Sequence, residues 1–356
     1  MLKFHPLRVR DVRPEADDAV ALTFDVPDAL REEFRSQPGQ HIVVRAFMNG
    51  EEVRRTYSLT NAAGETPLQI AVRSHPAGRL SRHIASLKQG ATLEVMPPNG
   101  SFAPRAASDG GTYVAFAAGC GITPVISIMR ALLARDAQCR VLLFYGNRGG
   151  SRAMLLEELL ALKDQHLDRL SLHFLMSREP QEIELLNGRL DGERVRELAG
   201  RLFSAKSVRE YFVCGPGTMI DSIGATLKSL GVDAQRIHSE HFAVAAAAPA
   251  PVLAEPAAQV DADITQVAVT MDGRRRTFTM RTGDESILDA AARAGIDLPF
   301  SCKAGVCSTC RTKLVRGQVT LTENYALEDW ELEQGFILAC QAHARTPELE
   351  LDYDAK

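Results

Sequence analysis

Four cysteines near the end of this chain constrain its fold more than any other feature. Cys302, Cys307 and Cys310 are spaced C-x4-C-x2-C in CKAGVCSTC, and Cys340 follows 30 residues later in FILACQAH. Whatever they hold must draw a short loop and a distant segment to one place, so the residues around them must form a small domain. A disulfide, a zinc ion and a redox centre are the alternatives. The opening residues MLKFHPLRVRDVRPE carry charges every few positions and no apolar h-region, so no signal peptide is expected. No apolar run reaches the length of about 18 residues that a membrane helix needs. The expectation is a cytoplasmic protein with no membrane partner, whose thiols stay reduced.

The spacing is that of a plant-type [2Fe–2S] site. Two irons need two thiolates each, and a tight loop must approach the cluster with its backbone N–H groups. Ala304, Gly305, Ser308 and Thr309, between the ligands, are small enough to permit this. Zinc ribbons use paired C-x2-C knuckles, and here Cys307 and Cys310 form only one. The metal ligands expected are therefore Cys302, Cys307, Cys310 and Cys340, around a one-electron carrier. Cys120 and Cys139 read as core thiols.

A chain of 356 residues exceeds one typical core. The clearest seam is AVAAAAPAPVLAEPAAQVDAD, residues 243–263, where Pro249, Pro251 and Pro256 spoil a helix and an extended linker is expected. Residues 1–105 hold short apolar runs broken by Gly and Pro (ALTFDV, HIVVRAF, RRTYSLT, PLQIAVRS, ATLEVMPPNGSF), which predict an antiparallel β-barrel. Residues 106–242 alternate strand with helix, from TYVAFAA and PVISIMRALLA to REYFVCG, and predict a parallel α/β sheet. Residues 264–356 open with a hairpin about Asp272-Gly273, continue with the helical ESILDAAARAGI, and predict a small α+β domain of β-grasp type. From Glu323 to Asp354 nine acids face one base, Arg345, which reads as a solvated face or a surface that steers a basic acceptor. A net charge of −4 gives no reason to expect a nucleic-acid partner.

A one-electron carrier needs a source. Nicotinamide delivers two electrons as hydride, and a flavin can take two and release them singly. In RRTYSLT, Arg55 can meet a phosphate, Tyr57 can stack on a ring, and Ser58 can reach a ring nitrogen. Taken alone this is an ordinary strand. In GRLSRHI, Gly78 and Ser81 open a helix whose N-terminus suits a pyrophosphate, or is simply capped. In AGCGITPVISIMR, Gly119 and Gly121 follow a strand and Pro124 stands in the first helical turn. Pro replaces the usual third Gly and no acid lies about 20 residues on, so this is not the ordinary Rossmann fingerprint. VCGPGTM makes a second Gly/Pro turn at another strand end.

R-x-Y-S, G-x-x-S, G-x-G-x-x-P and C-G-P, in this order and spacing, resemble the ferredoxin–NADP reductase superfamily. With the cysteine-rich domain added, nearly the whole chain is similar to single-chain reductase components of bacterial oxygenases. LEVMPPNGSF, NGRLDGERV and RIHSEHF resemble the joints of the subfamily serving phenylacetyl-CoA epoxidases. The resemblance implies that Arg55, Tyr57 and Ser58 hold a flavin, and that Gly78 and Ser81 bind its pyrophosphate, favouring FAD over FMN. It implies that Gly119, Gly121, Thr123 and Pro124 receive the nicotinamide dinucleotide, with Cys214, Gly215 and Pro216 beside the nicotinamide. Glu240 and Phe242 match its acid-x-aromatic near the flavin. Arg148, Ser177, Arg178 and Arg189 follow strand ends, as would suit the 2′-phosphate of NADPH; NADH remains the other nucleotide. The expected activity is NAD(P)H oxidation through FAD and a [2Fe–2S] cluster to an oxygenase, with no side chain as strong acid or base. A phenylacetyl-CoA epoxidase-type di-iron monooxygenase is the favoured acceptor. A Rieske dioxygenase, a steroid hydroxylase or a desaturase is the alternative, and a zinc-bearing interaction module is the rival of another class.

Overall fold

The alternating segments before residue 105 pair into an antiparallel sheet of six strands: β1 (His5–Ala16), β2 (Ala19–Asp25), β3 (His41–Met48), β4 (Glu51–Ser58), β5 (Leu68–Arg73) and β6 (Thr92–Val95). The computed structural model describes residues 3–62, 64–105, 110–242, 264–283 and 285–355. The segment read as a linker, 243–263, lies outside them. The strand order is β4-β3-β6-β1-β2-β5. A bridge between Leu59 and Ile70, with Thr60 N–H donating to the Gln69 carbonyl at 2.9 Å, joins the two edges and closes a barrel. Leu7, Leu22, Phe24, Ile42, Val44 and Ile70 fill it, and helix α1 (Arg79–Ser86) adds Leu80 and Ile84 to the same core. Each such side chain contributes about 1.5–3 kcal/mol by leaving water. Strand β1 goes beyond the sequence expectation, since Leu7 and Val9 alone among its 12 residues are buried and it shows no apolar alternation.

The second sheet is parallel: β7 (Gly111–Ala118), β8 (Cys139–Asn147), β9 (Leu170–Met176), β10 (Val208–Gly215) and β11 (Ile237–His241), in the order β11-β10-β7-β8-β9. Its central strands β7, β8 and β10 read as long apolar runs because both of their faces are buried. Tyr113, Ala115 and Ala117 of β7 face the core of α2 (Ile122–Arg135) and α3 (Leu156–Gln165). Val114 and Phe116 face that of α4 (Gly192–Leu198) and α5 (Gly217–Ser229). Helix α2 also docks on the barrel: Ser127 Oγ donates to the Asn61 carbonyl at 2.9 Å, and Arg130 Nη1 to that of Thr60 at 2.7 Å. Barrel and parallel sheet thus belong to one unit, Lys3–Phe242.

The C-terminal unit has a mixed sheet in the order β13-β12-β18-β14-β16: β12 (Ile264–Met271), β13 (Arg274–Arg281), β14 (Arg311–Arg316), β16 (Phe336–Leu338) and β18 (Glu348–Asp352). A ribbon of β15 (Val319–Leu321) and β17 (Ala342–Ala344) completes it. Helix α6 (Ile287–Arg293) buries Ile287, Leu288, Ala290 and Ala291 in its core, giving the expected β-grasp type. Asp272 and Gly273 both take left-handed backbones at the β12–β13 turn, as a two-residue hairpin requires. The acidic tail from Glu323 is not a uniform solvated face. Glu331, of α7 (Asp329–Glu333), is 1% exposed and paired with Arg311 at 2.8 Å. Among the described residues no helix is long and apolar enough to cross a membrane.

Candidate functional site

Strand β4 presents Arg55 and Tyr57 two residues apart, hence on one face. Burial pushes the Tyr57 phenol up despite the opposing charge of Arg55, so it stays neutral. Ser58 is buried, and its Oγ donates to Glu240 Oε2 at 3.4 Å across 182 residues of sequence. His41 Nδ1 lies 3.9 Å from the other carboxylate oxygen of Glu240. Sequence reasoning missed His41. Its one signal is register, since His41 pairs directly with Ser58 on the β3–β4 hairpin. Phe242 ends the unit half exposed.

Gly78 is the N-cap of α1. A side chain there would meet Ser81 Oγ at 2.4 Å and the His75 carbonyl at 3.3 Å, so the close turn favours glycine. The Ser81 hydroxyl donates to the Gly78 carbonyl and accepts from His75 N–H, each at 3.2 Å, leaving the turn ordered before any phosphate arrives.

Glu240 and Cys214 are register partners on β11 and β10. Burial and then the charge of Glu240 push the Cys214 thiol well up, which makes it a neutral wall rather than a nucleophile. Cys214 in turn touches the turn after β7: a methyl group on Gly121 would lie 2.0 Å from the Cys214 carbonyl oxygen. Thr123 Oγ1 donates to the Cys120 carbonyl at 2.9 Å, and Pro124 is buried in the first turn of α2. Gly215 is pressed against Met219, and Pro216 is the N-cap of α5. Ser58, Glu240, Cys214 and Gly121 therefore form one run of contacts joining the flavin candidates to the nucleotide candidates.

At the ends of β8 and β9, Ser177 N–H donates to the Asn147 carbonyl and Arg178 N–H to that of Arg148, both at 2.9 Å. Gly188, next to Arg189, donates to Met176. Arg148, Arg178 and Arg189 are exposed, and among the described residues none of their guanidinium groups has a hydrogen bond or ion pair. Arg148 and Arg178 follow the C-terminal ends of β8 and β9, and the carboxylate of Glu179 accepts from Gly150 N–H at 2.8 Å on the same loops.

In the C-terminal unit, Arg311 of β14 pairs with Leu338 of β16, and Ala339 N–H donates to the Cys310 carbonyl at 3.1 Å. This register brings Cys340 beside Cys310. The thiols influence one another most strongly in two pairs, Cys302 with Cys307 and Cys310 with Cys340, one thiol of each pair lowered and the other raised. Two irons with two thiolates each call for that division. Within the first pair the Cys307 thiol holds Cys302 down to about 6, against burial and aided by the N–H groups of Ala304, Val306 and Cys307. Cys340 is likewise lowered by Cys310, and Gly305 N–H faces its sulfur. Lys303 and Ser308 hold left-handed backbones. Gly305 does too, and a side chain there would meet the Glu323 carbonyl at 2.9 Å. The loop is bent as a cradle for sulfur chemistry, and its donor set fits a [2Fe–2S] cluster.

Family models match in three places: an oxidoreductase FAD-binding domain over residues 6–103, an oxidoreductase NAD-binding domain over 116–224, and a 2Fe-2S iron-sulfur cluster binding domain over 269–345. One component of the 1,2-phenylacetyl-CoA epoxidase of Escherichia coli (strain K12) is 41% identical, covering 100% of this chain and 99% of that one. The ferredoxin reductase component of 3-ketosteroid-9-alpha-monooxygenase from Rhodococcus rhodochrous is 31% identical, with 98% and 96% covered. Phthalate dioxygenase reductase shares the fold with a TM-score of 0.56 at 24% identity, over 98% of each chain. An intact type IV self-sufficient cytochrome P450 monooxygenase matches 98% of this chain with a TM-score of 0.69 at 22% identity, through 41% of its own length.

Proposed function

The chain belongs to the family of flavin- and [2Fe–2S]-containing reductase components of oxygenases, and on that premise we propose that it draws electrons from NADPH for an oxygenase acting on an aryl-CoA thioester. It is an NAD(P)H-dependent oxidoreductase with FAD and [2Fe–2S] domains. FAD, when bound, supplies acceptance of two electrons with a hydride and their release one at a time. The [2Fe–2S] cluster, when bound, supplies one-electron carriage.

The chain's own residues do the positioning. Arg55 offers a guanidinium to a flavin phosphate and Tyr57 an apolar ring face, while Ser58, with its hydroxyl bound to Glu240, borders the ring with Phe242. Gly78 and Ser81 take the pyrophosphate. The Gly119, Gly121, Thr123 and Pro124 turn and the Cys214, Gly215 and Pro216 turn take the dinucleotide. Positioning of this kind converts an encounter into an effectively intramolecular transfer, and no side chain need act as acid or base. The observation that carries the reading is the contact run from Ser58 through Glu240 and Cys214 to Gly121. It joins a flavin cradle to a nucleotide turn, which hydride transfer needs.

NADPH is favoured over NADH by Arg148, Arg178 and Arg189, exposed arginines whose guanidinium groups have no partner among the described residues, with Ser177 beside Arg178 in the chain. The acceptor follows the 41% identity to an epoxidase component over the whole chain. In this reading Cys302, Cys307, Cys310 and Cys340 hold the cluster and the protein is cytoplasmic. Its domains run 1–105 for FAD, 106–242 for the nucleotide and 264–356 for the ferredoxin, with 243–263 between them. The loaded protein is to be mixed with NADPH and either a phenylacetyl-CoA-epoxidising oxygenase or a steroid hydroxylase, and product measured against NADPH consumed. Coupled turnover with the first alone is expected. Equal coupling to both would remove the acceptor assignment.

A further inference from the structure

Tyr145 of β8 is fully buried in the layer between the parallel sheet and helices α2 and α3. Its hydroxyl joins two backbone segments that the sheet itself does not connect. It donates to the nearer of two carbonyls, Gly119 at 2.9 Å rather than Met154 at 3.3 Å, and accepts from Met154 N–H at 3.1 Å. Gly119 opens the nucleotide turn and holds φ at +56°. Glycine crosses readily among many backbone states, so that geometry needs an external hold. On the other side, Met154 precedes Leu155, the left-handed N-cap of α3. Leu155 N–H donates to Glu15 Oε1 of the barrel strand β1 at 2.7 Å. Nearby, Asp17 N–H donates to the Ser151 carbonyl at 3.2 Å, and Ser151 Oγ to Asp17 Oδ2 at 2.6 Å. The segment from Ser151 to Leu155 is thus fastened to the barrel, and Tyr145 fastens the nucleotide turn to that segment. Burial pushes the phenol well above its ordinary range, so it remains a neutral donor.

We propose that Tyr145 is a positioning residue for nucleotide binding: its hydroxyl holds the Gly119 turn in its left-handed geometry and so sets the affinity for the dinucleotide without touching it. The inference rests on the nucleotide reading of that turn. Removing the hydroxyl takes from the half-buried Gly119 carbonyl the bond that ties it to β8, and the turn relaxes toward other glycine conformations at a cost that dinucleotide binding must then meet.

The test uses the full chain loaded with FAD and cluster, as wild type, Tyr145→Phe and Tyr211→Phe. Tyr211 is an equally buried tyrosine in the adjoining part of the same sheet. Its hydroxyl donates to the carbonyl of Ala205 at 2.8 Å, before β10 begins and away from the turn. KM and kcat for NADPH and NADH with a dye acceptor are measured, with Tm for each protein. Both variants should lose similar thermal stability. Tyr145→Phe should raise KM for both nucleotides about three- to tenfold, with kcat within about twofold, and Tyr211→Phe should leave KM alone. An unchanged KM in Tyr145→Phe, or an equal rise in Tyr211→Phe, overturns the inference while the reductase reading stands. A wild-type protein that reduces no dye with either nucleotide overturns the reading and the inference with it.

Discussion

Gly121 and Cys214 meet backbone to backbone: a methyl group on the glycine would lie 2.0 Å from the Cys214 carbonyl oxygen and 2.9 Å from the Gly215 nitrogen. Two turns separated by more than ninety residues of sequence are packed so closely that any side chain must part them. Backbone cannot yield as the end of a flexible side chain can. Gly121→Ala is therefore expected to destabilise the nucleotide half by roughly 1–3 kcal/mol and to raise nucleotide KM, as overpacking does. FAD content should hold, because the Gly78 and Arg55 candidates sit on the barrel. Thermal melting, flavin absorbance and dye-reduction kinetics on one preparation check this. Unaltered melting and KM would contradict it.

Cys340 reaches Cys310 through the β14–β16 register, and the two form one of the thiol pairs. Replacing Cys340 with Ser should abolish the cluster while NADPH-to-dye activity persists, since the flavin and nucleotide candidates lie in the other unit. Iron and acid-labile sulfide analysis decides it. Full retention of two irons and two sulfides would remove Cys340 from the ligand set.

Arg178 stands exposed, with no hydrogen bond or ion pair to its guanidinium among the described residues. Arg178→Ala should weaken NADPH and barely touch NADH, since the 2′-phosphate is what distinguishes them. One lost charge-assisted contact costs about 1.5–3 kcal/mol, or about 10- to 150-fold in affinity. Parallel titrations with the two nucleotides provide the check, and equal losses would show that Arg178 does not read the phosphate.

Asp354 clasps the β12–β13 turn: its two carboxylate oxygens accept from Asp272 N–H and Gly273 N–H, each at 2.8 Å. The N–H of Gly273 and then that of Asp272 hold its pKa below the ordinary aspartate value. A depressed folded-state pKa means the clasp contributes fully above the unfolded value, about 3.9, and is lost as pH falls through the lower folded value. Asp354→Ala should therefore lower Tm by a constant amount above about pH 5, with the difference shrinking as the pH falls below about 4. Melting curves across that range check it; a gap that widened on acidification would have the wrong sign.

Much of this architecture was legible because its signals are local. TYVAFAA reads as a doubly buried strand because both of its faces meet helices, and Asp272-Gly273 reads as a hairpin because few residue pairs tolerate two left-handed backbones. Strand β1 was not legible: HPLRVRDVRPEA forms its bonds through the backbone and buries two side chains, so pattern carries almost no information about it. The acidic tail misled in part for a related reason. Charge counting cannot reveal that Glu331 turns inward to Arg311.

The amino-acid sequence by itself determined the chemistry available to this protein. The spacing of four cysteines, the small residues between them and the order of the Gly- and Pro-marked turns are local properties that survive without a fold. Which groups meet was decided by tertiary structure alone. Cys340 comes to Cys310 because β14 and β16 pair in one register. Glu240 comes to Ser58 because the end of a parallel sheet lies against a barrel hairpin. His41 enters the site for that reason, and Tyr145 reaches Gly119 because β8 lies beside β7. Such contacts depend on chain segments that sequence separates by tens to hundreds of residues. Hydrogen bonds act over about 3 Å, so only the packed fold can bring them into being.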